Sequence, residues 1–228
     1  MQQRACLVAA TAFAVFLMAP ASQASTIYAL DITSTCCGPG PYGSVTLTQN
    51  GANEVDVFVS LVNPFLFVDG GQAGAFAFDL DIANANLSIT VSPASLTAGF
   101  SSTVLDHGAH GEHMSAFGFF DYAIAGDASH THGGSTPIGQ ALTLMVVNTA
   151  GAISANDFEE DSTGGIDSYF AADIMNTASA GLGAGTTGIV ATFGGTTTSA
   201  TPEPTTFMLL GAGLVAVAFL RRKRVSKT

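Results

Sequence analysis

Apolar and polar side chains alternate along much of this chain. In SVTLTQ (44–49) Val45 and Leu47 point one way while Thr46 and Thr48 point the other. In EVDVFVSL (54–61) Val55, Val57, Val59 and Leu61 make one continuous face. A period of two marks a half-buried β-strand, and β-branched residues favour it. Between the two runs lies Asn50-Gly51, which predicts a tight hairpin turn because both residues reach positive φ at little cost. The same pattern predicts strands at 26–32, 74–82, 86–92, 116–124, 141–148, 169–176 and 187–194, with Gly, Pro, Asn and Ser between them. ISANDFEEDS predicts a turn or two of helix, with Ser154 as N-cap and acidic residues at its start. Eight or nine short strands in about 175 residues, with no internal repeat, predict an all-β domain: an antiparallel, jelly-roll-like β-sandwich ectodomain.

The two ends depart from this pattern. Residues 1–24 run from a positive start at Arg4 through an apolar stretch, Cys6 to Ala19, to Pro20 and a small-x-small site at Ser22 and Ala24. Those are the parts of a secretory signal peptide, so cleavage is expected before Ser25 by signal peptidase. At the other end Phe207 to Leu220 carries no charged or strongly polar side chain. These residues give about 21 Å of helix at about 1.5 Å each, against a hydrocarbon core of about 30 Å. Thr206 extends the span, a transmembrane helix over about 206–220, and the long stems of Arg221, Arg222, Lys223 and Arg224 reach back to the lipid phosphates. The basic tail (221–228) is expected to stay cytoplasmic, with the body across the membrane. GGTTTSAT (194–201) is a Gly/Ser/Thr linker, which leaves 25–193 as the ectodomain.

Pro202, Glu203 and Pro204, followed by a short apolar helix and an Arg-rich end, resemble a PEP-CTERM sorting signal over 202–228, a segment also labelled an ice-binding protein C-terminal domain. The resemblance implies an exosortase substrate. It implies export through the inner membrane of a Gram-negative-type bacterium that makes extracellular polysaccharide, transient anchoring, and release or transfer to the surface. It implies nothing about the activity of the body, because a sorting tail can be joined to many domains.

Charge sharpens the picture. All six basic residues (Arg4, Arg221, Arg222, Lys223, Arg224, Lys227) lie in the two terminal signals. Of the 17 acidic residues only Glu203 belongs to the tail, so the body holds sixteen carboxylates and no Lys or Arg. Nucleic acid is excluded as a partner, since nothing in the body can neutralise phosphates. The carboxylates must be solvated, hydrogen-bonded, protonated or bound to cations. Two cysteines remain after cleavage, Cys36 and Cys37, adjacent in sequence. An export compartment allows them to bond to each other or to another chain.

The candidate chemistry lies in the histidines. His107, His110 and His113 recur every third position, with Glu112 among them, and His130 and His132 follow. Imidazole is the commonest metal ligand, and the flanking glycines let a loop wrap closely, so these six residues are a candidate divalent metal set, for Zn²⁺ or Ca²⁺. The predicted strand 116–124 lies between the two groups and sets them about 25 Å apart at about 3.3 Å per residue. No H-E-x-x-H or G-x-S-x-G motif occurs, and DFEEDSTGGID lacks the sixth-position glycine of an EF-hand loop. Extracellular polysaccharide is a candidate partner. Trp is absent, which leaves Tyr28, Tyr42, Tyr122 and Tyr169 as stacking platforms, with the phenylalanines of the body assigned to the core.

The residues therefore support an exported, surface-sorted, non-enzymatic β-rich protein of the cell envelope or extracellular matrix. The competing reading is a secreted metal- or calcium-dependent binding module or hydrolase built on the histidine loops.

Overall fold

The computed structural model describes residues 25–193 except 35, 71–73, 83–85, 107–110, 131–135, 179, 182 and 184. The predicted signal peptide, linker, sorting motif and membrane helix lie outside the described residues, as do His107, His110 and His132.

In chain order the strands are β1 (Ser25–Leu30), β2 (Ile32–Thr33), β3 (Gly43–Gln49), β4 (Glu54–Leu61), β5 (Phe65–Phe67), β6 (Phe76–Phe78), β7 (Leu87–Val91), β8 (Phe100–Asp106), β9 (Glu112–His113), β10 (Phe119–Phe120), β11 (Tyr122–Gly126), β12 (Ala141–Asn148), β13 (Phe170–Asn176) and β14 (Thr187–Ala191). One α-helix, α1 (Pro93–Ala98), and two 3-10 turns, Ser115–Phe117 and Ala155–Phe158, complete the described elements. A five-stranded sheet has the order β1-β3-β4-β12-β7, and a seven-stranded sheet runs β2-β14-β13-β6-β11-β8, with β5 also paired to β13. A small hairpin joins β9 and β10. All of these pairings are antiparallel.

The five-stranded sheet follows the alternation. Val45, Leu47, Val55, Val57, Val59, Leu142, Leu144 and Val146 are buried, while Thr46, Asp56, Phe58 and Thr143 between them are wholly or partly exposed. The buried face shares one apolar cluster with Phe76, Phe78, Tyr122, Phe170 and Ile174 of the seven-stranded sheet. Aromatic rings fill that shared core. Phe78 lies 5.5 Å from Tyr122 and 5.9 Å from Phe158, ring centre to ring centre, and Tyr28 lies 5.2 Å from Phe170.

The central strands of the seven-stranded sheet, β6, β11 and β13, are buried on both faces, whereas β2 and β8 are partly exposed. The sheet's outer face carries a row of small residues in register: Ala191 opposite Ala171, Ala171 opposite Ala77, and Ala77 opposite Ala123. All four are fully buried, and Met114, Phe117 and Phe120 pack with them. Four methyl-sized side chains leave a shallow trough, and the 112–120 segment fills it. This is why the expected strand 116–124 is not continuous. Its first part turns in a 3-10 helix at Ser115–Phe117 and crosses the sheet, and only Tyr122–Gly126 joins the ladder. Gly118 makes the crossing possible. Its φ is +83°, and a Cβ there would lie 2.3 Å from the Thr163 carbonyl oxygen.

Other elements differ from expectation in instructive ways. The expected strand 74–82 shortens to Phe76–Phe78, because Asp81 N–H donates to Asp157 O in a loop and Leu80 turns into the core. The expected tight turn at Asn50-Gly51 is a longer connection. Asn50 N–H donates to Glu54 O, and Gly51 carries the positive φ. β8 was unforeseen because Ser101, Ser102 and Thr103 give it a polar edge-strand composition. The α1 helix, also unforeseen, has its signals in place: Ser92 as N-cap, Pro93 in the first turn and Gly99 at the left-handed C-terminal position, φ 110°. The expected turn of helix near 154 is the second 3-10 turn, closed by a reciprocal capping box between Ser154 and Asp157.

Candidate functional site

The described histidines occupy separate places. His113 sits on β9 opposite Phe119 of β10, its ring 4.7 Å from the phenyl ring. His130 lies against Gly126 and Gly99, and its Nδ1 is 2.7 Å from Asp127 Oδ1. That contact holds the Asp127 carboxyl below its ordinary range. The ladder between β8 and β11 explains the separation. Asp106 pairs with Tyr122 at one end, where the chain leaves towards His113, and Phe100 pairs with Gly126 at the other, beside His130. Glu112 is buried on β9 opposite Phe120. Among the described residues, no three His, Cys, Asp or Glu side chains stand close enough together to hold a metal ion.

Cys36 and Cys37 are joined by a disulfide. Both are buried, and Gly183 and Gly188 give them room, since a Cβ on Gly188 would meet the Cys36 sulfur at 2.7 Å. Asn176 Nδ2 donates to the Cys37 carbonyl, which fixes the loop to the end of β13.

Of the four tyrosines only Tyr169 keeps some exposure. Tyr28, Tyr42 and Tyr122 are buried in the core. Tyr28 donates its hydroxyl to Glu159, and burial first, then that carboxylate, raises its pKa. Instead, three phenylalanines are open to solvent: Phe58 (44% exposed), Phe119 (41%) and Phe193 (55%). Phe193 lines a surface pocket with Asp161, Gly165, Ile166 and Asp167. Phe119 borders the same segment, bonded through its backbone to Thr163.

Beside this pocket the acids gather. Asp79 follows Phe78 at the end of β6 and is 4% exposed. One of its oxygens, Oδ1, accepts the Asp121 N–H at 2.5 Å, and the other, Oδ2, is buried without a hydrogen-bond partner. Burial pushes the Asp79 carboxyl up to about 7, helped by the charges of Asp121, Glu160 and Asp161 and opposed by the Asp121 N–H. Burial also raises Asp121, with Asp106 adding to it; Glu160, with Asp121 and Asp81; and Asp161, with Asp167. No Lys or Arg exists in the body to offset any of them. A second buried pair lies on the same sheet. Asp69 is fully buried, and its Oδ2 accepts the Gly126 N–H while Oδ1 has no partner. Asp173 accepts the Gly70 N–H, and burial raises it to about 6, with Asp69 contributing. Of the fates open to carboxylates in a body without Lys or Arg, hydrogen bonding is the one seen here: Asp79, Asp69 and Asp173 are buried, and each accepts a backbone N–H. The alternation does send Asp79 and Asp173 away from the shared core, but the outer face they reach is also covered.

A family model described as the PEP-CTERM protein-sorting motif matches residues 200–224. The chain carries a PEP-CTERM sorting motif. The match contains Pro202, Glu203, Pro204 and Arg221 to Arg224, and it is consistent with an exosortase substrate, exported and sorted through a membrane anchor. Among the described residues no helix is long and apolar enough to cross a membrane; the PEP-CTERM segment lies outside them. No curated protein and no solved structure matches the chain.

Proposed function

We propose that this is an exported protein whose residues 25–193 form a non-enzymatic β-sandwich of the cell envelope or extracellular matrix. Signal peptidase removes 1–24. The helix at about 206–220 holds the protein in the inner membrane of a Gram-negative-type host until exosortase acts near Pro202–Pro204. The observation that carries this reading is the PEP-CTERM match at 200–224. The charge pattern supports it, since every Lys and Arg lies in the two terminal segments and the body is purely acidic.

At its destination the domain meets extracellular polysaccharide. The support for this is the pocket of Asp161, Gly165, Ile166, Asp167 and Phe193, which combines an exposed ring and aliphatic surface with carboxylates able to accept bonds from hydroxyl groups. Cell fractionation tests the sorting step. Replacing Pro202, Glu203 and Pro204 by Ala should leave the protein in the membrane fraction, whereas the natural chain reaches the surface or medium. Equal release of both would overturn the exosortase step. Retention of the natural protein on polysaccharide from its own host, without shortening of the glycan, tests the non-enzymatic role, and depolymerisation would overturn it.

A further inference from the structure

The disulfide between Cys36 and Cys37 joins neighbouring residues. A cross-link stabilises mainly by closing a long loop of the unfolded chain, and this one closes none. What it fixes is local. Cys37 has a φ of +75°, a left-handed conformation that residues with a Cβ adopt only where their surroundings impose it. In that conformation its N–H donates to Thr186 Oγ1 at 3.2 Å, and its carbonyl accepts from Asn176 Nδ2 at 3.2 Å. The Cys37 backbone also lies so close to Gly183 that a Cβ there would sit 2.4 Å from the Cys37 carbonyl carbon.

These contacts finish a longer seam. Asp31 N–H donates to Ala191 O, Ile32 and Thr33 pair with Ala191 and Val190, and Ser34 N–H donates to Ile189 O. The start of the domain thus lies along the open edge of β14, with β2 as the outermost strand of the sheet. β2 is two residues long, too short to hold an edge alone. An uncovered edge is a template for pairing with another chain. The disulfide closes the far end of the seam at Thr186, one residue before β14 begins.

We propose that Cys36 and Cys37 form an oxidation-set latch, which fastens the start of the domain to the edge of β14 once the chain has left the cytoplasm. Before export the two residues are thiols. Outside, each thiol gives up its proton and one S–S bond forms between the two sulfurs. The two electrons pass to the disulfide of an oxidant, which takes up the two protons and leaves as a dithiol. With the bond made, Cys37 keeps its left-handed turn and seats its N–H and carbonyl on Thr186 and Asn176. With the bond open, that turn relaxes and the seam is left to β2 alone. The compartment rests on the export reading above, whereas the latch itself does not.

Amide hydrogen exchange read by mass spectrometry, on the full chain in detergent micelles, tests the latch. Two open forms are set against the oxidised chain. One is the natural chain unfolded and refolded with a dithiol reductant, heavier by two hydrogen atoms; the other is the double variant Cys36→Ser, Cys37→Ser. In both, the amides of β2 and of residues 186–191 should exchange at least about 10-fold faster, while β4 keeps its protection. Unchanged exchange at 186–191 in the reduced natural chain would overturn the latch, whatever the variant does. A rise of equal size in β4 would also overturn it, because the bond would then support the whole domain. Alkylation before reduction reads the thiols of protein exported by the native host. Free thiols at Cys36 and Cys37 there would overturn the setting of the latch after export. Protein held in the cytoplasm would instead overturn the export reading and leave the exchange result standing.

Discussion

Asp173 accepts a hydrogen bond from the Gly70 backbone at 2.9 Å, across the point where β5 and β6 are interrupted along β13. The excursion between the two short strands brings Asp69 beside it, so two buried carboxyls share one side of the seven-stranded sheet. Burial holds the Asp173 carboxyl up at about 6 and Asp79 at about 7. Unfolded aspartate titrates near 3.9, so the folded state binds these protons more tightly. Their contribution is fully present below about pH 4 and is lost as pH rises through about 6 and about 7. In metal-free buffer the domain should therefore melt higher at pH 5 than at pH 8. Asp173→Asn should flatten the lower part of that slope, an effect on the order of 1–1.5 kcal/mol between pH 5 and pH 8. Melting curves across this range check the sign; greater stability at pH 8 would contradict it.

The trough of Ala77, Ala123, Ala171 and Ala191 makes a packing prediction with two arms. Phe117→Ala empties it and should cost about 3–5 kcal/mol. Ala171→Leu overfills it and should cost about 1–3 kcal/mol, displacing Phe117 or Phe120. Urea unfolding measures both. If Phe117→Ala cost less than about 1 kcal/mol, the 112–120 segment would not be part of the core.

His130 is held by Asp127 and seats against Gly99, the residue that ends α1. His130→Ala should lower stability by about 1 kcal/mol, while His113→Ala, an exposed side chain of the β9–β10 hairpin, should change it by less than about 0.5 kcal/mol. The two losses should add in the double variant, because the residues lie at opposite ends of the β8–β11 pair. Strong non-additivity in a double-mutant cycle would place them in one site.

Sixteen carboxylates without Lys or Arg repel one another. NaCl should raise Tm most steeply at low ionic strength and then level off as the Debye length falls to about 10 Å near 0.1 M. A melting temperature independent of salt between about 10 and 200 mM would show that the charges lie too far apart to matter.

The half-buried sheet was legible in the sequence because one of its faces meets solvent. Val45 and Thr46, or Leu142 and Thr143, announce inside and outside directly. The seven-stranded sheet was legible only in part. Phe76, Ala77 and Phe78 are all buried, and nothing local to them reveals that a segment forty residues later covers Ala77. The same blindness hid the acids. Asp79 reads as an outward residue of an alternating strand until the chain at Asp121 is folded beside it. α1 spans six residues, too few to display a helical period, although its two caps stood in the sequence. The sorting signal was fully legible because its parts act in order along the chain.

The most direct test of the account is the intact mass of the protein that the native host exports. The exported chain should begin at Ser25 and end near Pro202–Pro204, without Arg221, Arg222, Lys223 and Arg224. Exported molecules that mostly retain those four basic residues would contradict release by exosortase.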